Sequence, residues 1–169
     1  MSKDECVTMT SEQWTLDDAR LLYGIGRGDL SFLSIDRDGY LCIDIRGQSV
    51  RIVEILNRLG AHGSVSLRFP QLIQERVGRL REAFADAMRR SAYHVRLHMV
   101  YPLKVSPRMS SVRAVLESDP EYGLEVASVY ELRYAQQVGG AADRPLVCNG
   151  PKTAEYLRLI RNVAGSRRV

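Results

Sequence analysis

Lys104 is one of three lysines, with Lys3 and Lys152, in a chain whose 24 basic residues are otherwise arginines. It follows Val100-Tyr101-Pro102-Leu103 and precedes Val105, so a primary amine is set into an apolar segment whose end is disturbed by Pro102. An amine placed there is expected to be partly desolvated, which favours its neutral, nucleophilic form and suits Schiff-base chemistry with a carbonyl compound. Arginine does not take that role, because the guanidinium keeps its proton. The plainer alternative is a lysine that snorkels out of a strand end. Arg68, Glu125 and Asn149 stand at or near the ends of three further apolar segments. In parallel α/β folds the carboxyl ends of the strands gather the chemistry. These four residues therefore form the candidate site, although strand ends also turn polar simply by emerging into solvent. Strand parity places Glu125 on the side of Gly123 and Ala127, two small residues that leave room for a cofactor lying across the strand ends.

Other chemistry-bearing residues point elsewhere. His94 and His98 share one face of a segment and His62 lies near a loop, but no carboxylate or thiol stands at ligand spacing to complete a zinc set. Asp36-Arg37-Asp38-Gly39 has the start of a calcium loop without its remaining ligands, so a hairpin turn is expected there. Gly24-Ile25-Gly26-Arg27-Gly28 lacks both a preceding strand and dinucleotide-binding spacing, and is expected to be a loop. Cys42 and Cys148 read as core thiols. The sequence holds no Gly-x-Ser-x-Gly nucleophile elbow.

The elements that must position these residues follow from periodicity. Helical spacing over 14–22, with Thr15 as N-cap before Asp17-Asp18, predicts a first helix. Segments 30–36 and 40–45 predict a hairpin. Val50, Val53, Ile55, Leu56 and Leu59 mark a helix ended by Gly60. After that, strands over 65–69, 95–105, 122–127 and 146–149 alternate with helices. The first of these helices is opened by Pro70 and carries Leu72, Ile73, Val77, Leu80, Phe84 and Met88 as one stripe. The others span 110–117, 129–138 with Ser128 as cap, and 152–164. Four such βα units predict a parallel sheet covered by helices, either doubly wound or part of a (β/α)8 barrel. A full barrel takes about 250 residues, so there is room here for about half of one. The division is then a flexible tail over 1–13, a lead-in with the hairpin over 14–47, and the half-barrel over 48–169.

Composition narrows the class. The 169 residues are 45% hydrophobic and 26% charged, which describes one soluble globular domain rather than a disordered chain. No stretch approaches the roughly 20 apolar residues of a membrane span. The polar first 13 residues, with Asp4 and Glu5, fit neither a signal nor a transit peptide. Three scattered cysteines, Cys6, Cys42 and Cys148, point to a reducing, cytoplasmic setting. The net charge is +4, but arginines interleave with acids in Glu75-Arg76, Arg81-Glu82 and Asp86 before Arg89-Arg90. That pattern describes a solvated helix face rather than a nucleic-acid surface.

Four strings carry a family resemblance. Ser66-Leu67-Arg68-Phe69-Pro70 resembles the first barrel strand of the biosynthetic, pyridoxal-phosphate-dependent arginine decarboxylases. Val100-Tyr101-Pro102-Leu103-Lys104-Val105 resembles their cofactor-lysine strand. Tyr122-Gly123-Leu124-Glu125-Val126-Ala127-Ser128, with Glu131-Leu132, is similar to their third strand and helix start. Cys148-Asn149-Gly150-Pro151-Lys152, with Glu155-Tyr156, is similar to their fourth. Residues 14–169 are covered in order, as the N-terminal half only. The sequence departs from the family's usual residues at Ser106-Pro107, Ala127, Val129 and Pro151.

The resemblance implies an alanine-racemase-like barrel of fold type III and the conversion of L-arginine to agmatine and CO2, toward polyamines such as spermidine. It implies pyridoxal 5'-phosphate as cofactor, with Lys104 as Schiff-base lysine and Glu125 near the cofactor, and Mg2+ by family analogy only. Contacts to the cofactor phosphate and to the substrate guanidinium would lie in parts of the family's length without counterpart here. A lone chain is then expected to be inactive and completed by a second, C-terminal chain or by homo-oligomerisation. The alternative expectation is a non-catalytic half-barrel that binds a partner through its open sheet edges.

Overall fold

The computed structural model describes residues 14–139 and 144–165. The expected tail over 1–13, with Lys3 and Cys6, lies outside the described residues. The fold is mixed α/β, with two three-stranded sheets and, among the described residues, six α-helices. Contacts divide the chain into two compact units, Met1–Leu67 and Arg68–Val169.

In the first unit, helix α1 (Leu16–Tyr23) opens on Thr15, whose hydroxyl accepts from the Asp18 N–H while the Asp18 carboxylate accepts from the Thr15 N–H. This reciprocal cap satisfies two donors that the first helical turn leaves unpaired. Gly24 ends the helix at φ 64. Strands β1 (Leu33–Ile35) and β2 (Leu41–Ile45) form the expected antiparallel hairpin. Asp36 shapes its turn rather than a metal loop: its carboxylate accepts from the N–H groups of Asp38 and Tyr40 and from Arg51 Nε at 2.5 Å.

The chain then departs from expectation. Residues 48–51 form a third strand, β3 (Gln48–Arg51), antiparallel to β2, and helix α2 is confined to Ile52–Arg58. The turn into β3 is Arg46-Gly47, with φ 52 and φ 76. Two successive left-handed residues are what a two-residue hairpin of matching twist requires. Arg at the first position hid that turn from a reading keyed to Asn-Gly or Asp-Gly. Cys42 and Ile43 are the buried side chains of this sheet.

The second unit starts with the long helix α3 (Pro70–Arg90), with Pro at its first position, where no helical hydrogen bond is lost. Three βα repeats follow: β4 (Val100–Pro102) and α4 (Met109–Ser118), β5 (Gly123–Val126) and α5 (Val129–Val138), β6 (Leu146–Cys148) and α6 (Ala154–Ala164). The strands are parallel in the order β4-β5-β6, with Tyr101, Leu124 and Leu146 in register. Leu103, Val112, Leu124, Val126, Leu132, Tyr156 and Val163 make the core between sheet and helices.

The first of the four expected strands is not there: residues 65–69 form no ladder with any other described segment. The strand expected over 95–105 also shrinks to three residues. Its partner β5 begins at Gly123, opposite Val100, and the ladder extends upstream only by the bond from Gly123 N–H to the Met99 carbonyl. A strand exists only as far as its ladder does. The α3 stripe is likewise only partly covered. Val77 is buried against Val115 and Tyr122, while Leu80 and Phe84 remain 46% exposed. Helix α4 has ten residues, about 15 Å of rise, against about 31 Å for the 21 residues of α3.

Candidate functional site

The site is assembled at the carboxyl ends of β4, β5 and β6. Leu103 N–H donates to the Glu125 carbonyl at 3.0 Å, so the end of β4 is tied to the backbone of the residue whose side chain faces Lys104. Leu103 is fully buried, and the chain turns immediately after it, with Val105 N–H donating to the Pro102 carbonyl at 3.1 Å. The Tyr101 hydroxyl closes that loop on the Ser106 carbonyl at 3.1 Å. The burial of Leu103 against the exposure of Lys104 fixes which way the lysine leaves the sheet.

Lys104 Nζ lies 3.5 Å from Glu125 Oε1. Asn149, one residue beyond β6, turns its side-chain Nδ2 toward the same oxygen, also at 3.5 Å. Its backbone N–H donates to the Val126 carbonyl at 2.7 Å, which carries the ladder one residue past the strand. Three of the four candidate residues therefore meet around one carboxylate oxygen. Arg68 does not join them: it is exposed, two residues before α3, in the segment that forms no strand.

Two sequence expectations about this site are corrected. The Lys104 side chain is 61% exposed and ion-paired with Glu125, whose own side chain is 20% exposed, so the amine is not desolvated by its apolar flanks. It sits in the turn after β4, outside the ladder, where apolar sequence neighbours do not enclose it. The small residue Gly123 does not open a cofactor space either. A Cβ there would stand 2.1 Å from the Pro145 carbonyl oxygen. That volume already belongs to the approach of the chain entering β6.

A second glycine matters for the same reason. Gly150, at φ 74, follows Asn149, and a Cβ on it would lie 2.4 Å from the Ala127 carbonyl. Its N–H donates to Asn149 Oδ1 at 2.7 Å, and its carbonyl accepts from Lys152 Nζ at 2.7 Å. The helices that follow the strands are capped as expected for α5, where the Ser128 hydroxyl accepts from the Glu131 N–H. The Glu131 carboxylate reaches back to the Ala127 N–H at 2.6 Å. Helix α6 is capped by Thr153 and begins at Ala154, two residues after the expected start at 152.

Beneath the site, buried Tyr156 donates its hydroxyl to the Val126 carbonyl at 3.0 Å. Burial pushes this hydroxyl above its ordinary pKa, with Cys148 beside it adding to the shift. Burial likewise pushes the Cys148 thiol up, against smaller opposing effects from Tyr156 and Lys152. A thiol held protonated is a poor nucleophile.

Several arginines are paired with acids: Arg51 with Asp36 and Asp38, Arg81 with Asp119 and Glu121, Arg96 with Glu121 and Arg133 with Glu155. Among the described residues no group of three or more His, Cys, Asp or Glu side chains is placed to hold a metal ion. No helix of the described residues is long and apolar enough to cross a membrane.

Comparison with known proteins bears on this arrangement. A protein of Shewanella frigidimarina described as biosynthetic arginine decarboxylase is 34% identical over 158 residues, which cover 86% of this chain and 25% of that protein. This chain resembles the biosynthetic arginine decarboxylases. Relatives of the same description in Shewanella amazonensis, 30% identical over 159 residues, and Geotalea uraniireducens, 25% identical over 157 residues, match 87% and 88% of the chain. The chain spans about a quarter of the length of these curated relatives. No family model matches it.

Proposed function

We propose that this chain is the segment of an arginine-decarboxylase-type enzyme that supplies the Schiff-base lysine, Lys104, with Glu125 as a cofactor-binding residue beside it. The β4–β6 sheet is, in this reading, part of a (β/α)8 barrel. The observation that carries the reading is the meeting of Lys104, Glu125 and Asn149 at the carboxyl ends of three adjacent parallel strands. All three residues belong to strings quoted above for their family resemblance.

The donor set fits the aldehyde end of pyridoxal phosphate: an exposed primary amine, with one carboxylate acceptor and one amide donor in reach. When bound, that cofactor supplies an electron sink for the charge left as CO2 departs from L-arginine. Lys104 would hold the cofactor covalently, and Glu125 would orient the lysine nitrogen between contacts. The ladder bonds at Leu103 and Asn149 keep the strand ends in fixed register beneath them. Activity requires, in this proposal, a complementing chain or segment corresponding to the remainder of the relatives' length.

The test is reductive trapping. With pyridoxal phosphate and borohydride, the label is expected on Lys104 in preference to Lys3 and Lys152. Agmatine formation from L-arginine is expected once the complementary part of a relative is supplied. Label spread evenly over the three lysines in the completed assembly would overturn the reading.

A second reading has its own support, because β4 and β6 each leave one edge of the sheet unpaired among the described residues. It proposes a non-catalytic half-barrel that joins a partner through those edges. A mixed oligomer with a full-length arginine decarboxylase, carrying no cofactor on this chain, would favour it.

A further inference from the structure

Asn149 is held at both its backbone and its side chain by short hydrogen bonds. Its backbone is fixed by the 2.7 Å bond from its N–H to the Val126 carbonyl. Its side-chain oxygen is fixed by the 2.7 Å bond from the Gly150 N–H. Gly150 in turn sits at φ 74, with its backbone so near the Ala127 carbonyl that a Cβ would stand 2.4 Å from that oxygen. With Oδ1 engaged as an acceptor, the amide must present its donor, Nδ2, in the other direction. That direction is Glu125 Oε1, the same oxygen that faces Lys104.

We propose that Asn149 is a positioning residue: its amide, locked by Gly150, holds the Glu125 carboxylate at a set distance from Lys104 and so governs how freely that amine reacts. The inference rests on the reading of Lys104 as the cofactor lysine. At 3.5 Å the carboxylate is near the nitrogen without closing on it. A contact of 2.7–2.9 Å is usual for a fully formed charged pair. The Asn149 Nδ2 stands at the same 3.5 Å from the same oxygen, so the carboxylate is shared between amide and amine and has closed on neither. Once released, Glu125 would close on the nitrogen and compete for it.

The experiment measures the nucleophilicity of Lys104 without the cofactor, by trace labelling with acetic anhydride, using Lys3 as internal reference. Asn149→Ala is expected to slow labelling at Lys104 several-fold. Asn149→Ser keeps a side-chain acceptor for the Gly150 N–H but is too short to reach Glu125, so it is expected to slow labelling equally while leaving the melting temperature near that of the parent. In a Glu125→Gln background both substitutions are expected to have no further effect, because the competing carboxylate is gone.

Unchanged labelling in both variants, or a slowing that persists with Glu125→Gln, would overturn the proposal. Normal labelling with Asn149→Ser alongside slowed labelling with Asn149→Ala would also overturn it, by assigning Asn149 to the turn alone. Pyridoxal phosphate trapping on the parent chain is scored separately. Its failure to select Lys104 would count against the cofactor reading and leave the labelling result standing.

Discussion

Lys104 and Glu125 leave adjacent parallel strands on the same side of the sheet and stand 3.5 Å apart, with the Lys104 side chain three times as exposed as that of its partner. The carboxylate is the more buried member, and the amine is the one within reach of a reagent. An ion pair this exposed adds little to folding, so its removal should alter reactivity and leave stability alone. Glu125→Gln is expected to speed trace labelling of Lys104 by acetic anhydride several-fold, with a melting temperature within a degree or two of the parent. Mass-spectrometric rates of label incorporation check this. A slower rate would show that the carboxylate assists the amine rather than competing for it.

What was legible in the sequence divides along physical lines. Local chemistry was readable: Thr15 with Asp18 and Ser128 with Glu131 cap their helices because short polar side chains at those spacings reach the free N–H groups of the first turn. The gathering of Lys104, Glu125 and Asn149 was readable as well, since parallel strands bring their carboxyl ends to one side. Strand extents were not, because the residues upstream of Val100 have the composition of a strand and no neighbour to pair with. The roles of Gly123 and Gly150 were hidden for the same reason. A small residue can mean empty space or a close approach, and only the position of the facing backbone decides.

Those glycines give a contrast that substitution can measure. Alanine at Gly150 must take a left-handed backbone, which costs roughly 1–2 kcal/mol before any clash, and its Cβ meets the Ala127 carbonyl besides. Alanine at Gly123 meets the Pro145 carbonyl at 2.1 Å. Both variants are expected to lower the melting temperature by many degrees, and Gly150→Ala to disturb the Asn149 amide. Gly78 lies within helix α3 with open space around its Cβ position, so Gly78→Ala should stabilise by about 0.5–1 kcal/mol. A destabilised Gly78→Ala would mean that α3 is covered by something further.

Acid should weaken the fold in a defined direction. Arg96, through a hydrogen bond and its charge, and Arg81 more weakly hold the Glu121 carboxyl below its ordinary value of 4.5. A carboxyl depressed in the folded state lends stability that is fully present above that ordinary value. The contribution fades as pH falls through it toward the lower folded value. Thermal melts taken from neutral pH down through the carboxylate range should therefore show stability dropping on the acid side, and Glu121→Gln should flatten part of that drop. Salt should flatten it too, because Glu121 and Arg96 are exposed enough to be screened.

Tyr156 separates the scaffold from the chemistry above it. Its hydroxyl donates to the Val126 carbonyl, which also accepts from the Asn149 N–H. Removing the hydroxyl leaves that carbonyl with its ladder partner, so Tyr156→Phe is expected to cost only about 0.5–1.5 kcal/mol. Tyr156→Ala, by contrast, empties one of the largest fully buried sites in the core and should cost about 3–5 kcal/mol. Because the ladder bond persists in the phenylalanine variant, Asn149 should keep its place, and labelling of Lys104 should match the parent. If Tyr156→Phe instead changes labelling as much as Asn149→Ala does, then the register of β6 against β5 depends on the tyrosine hydroxyl, and the strand ends are set from beneath rather than by the amide of Asn149.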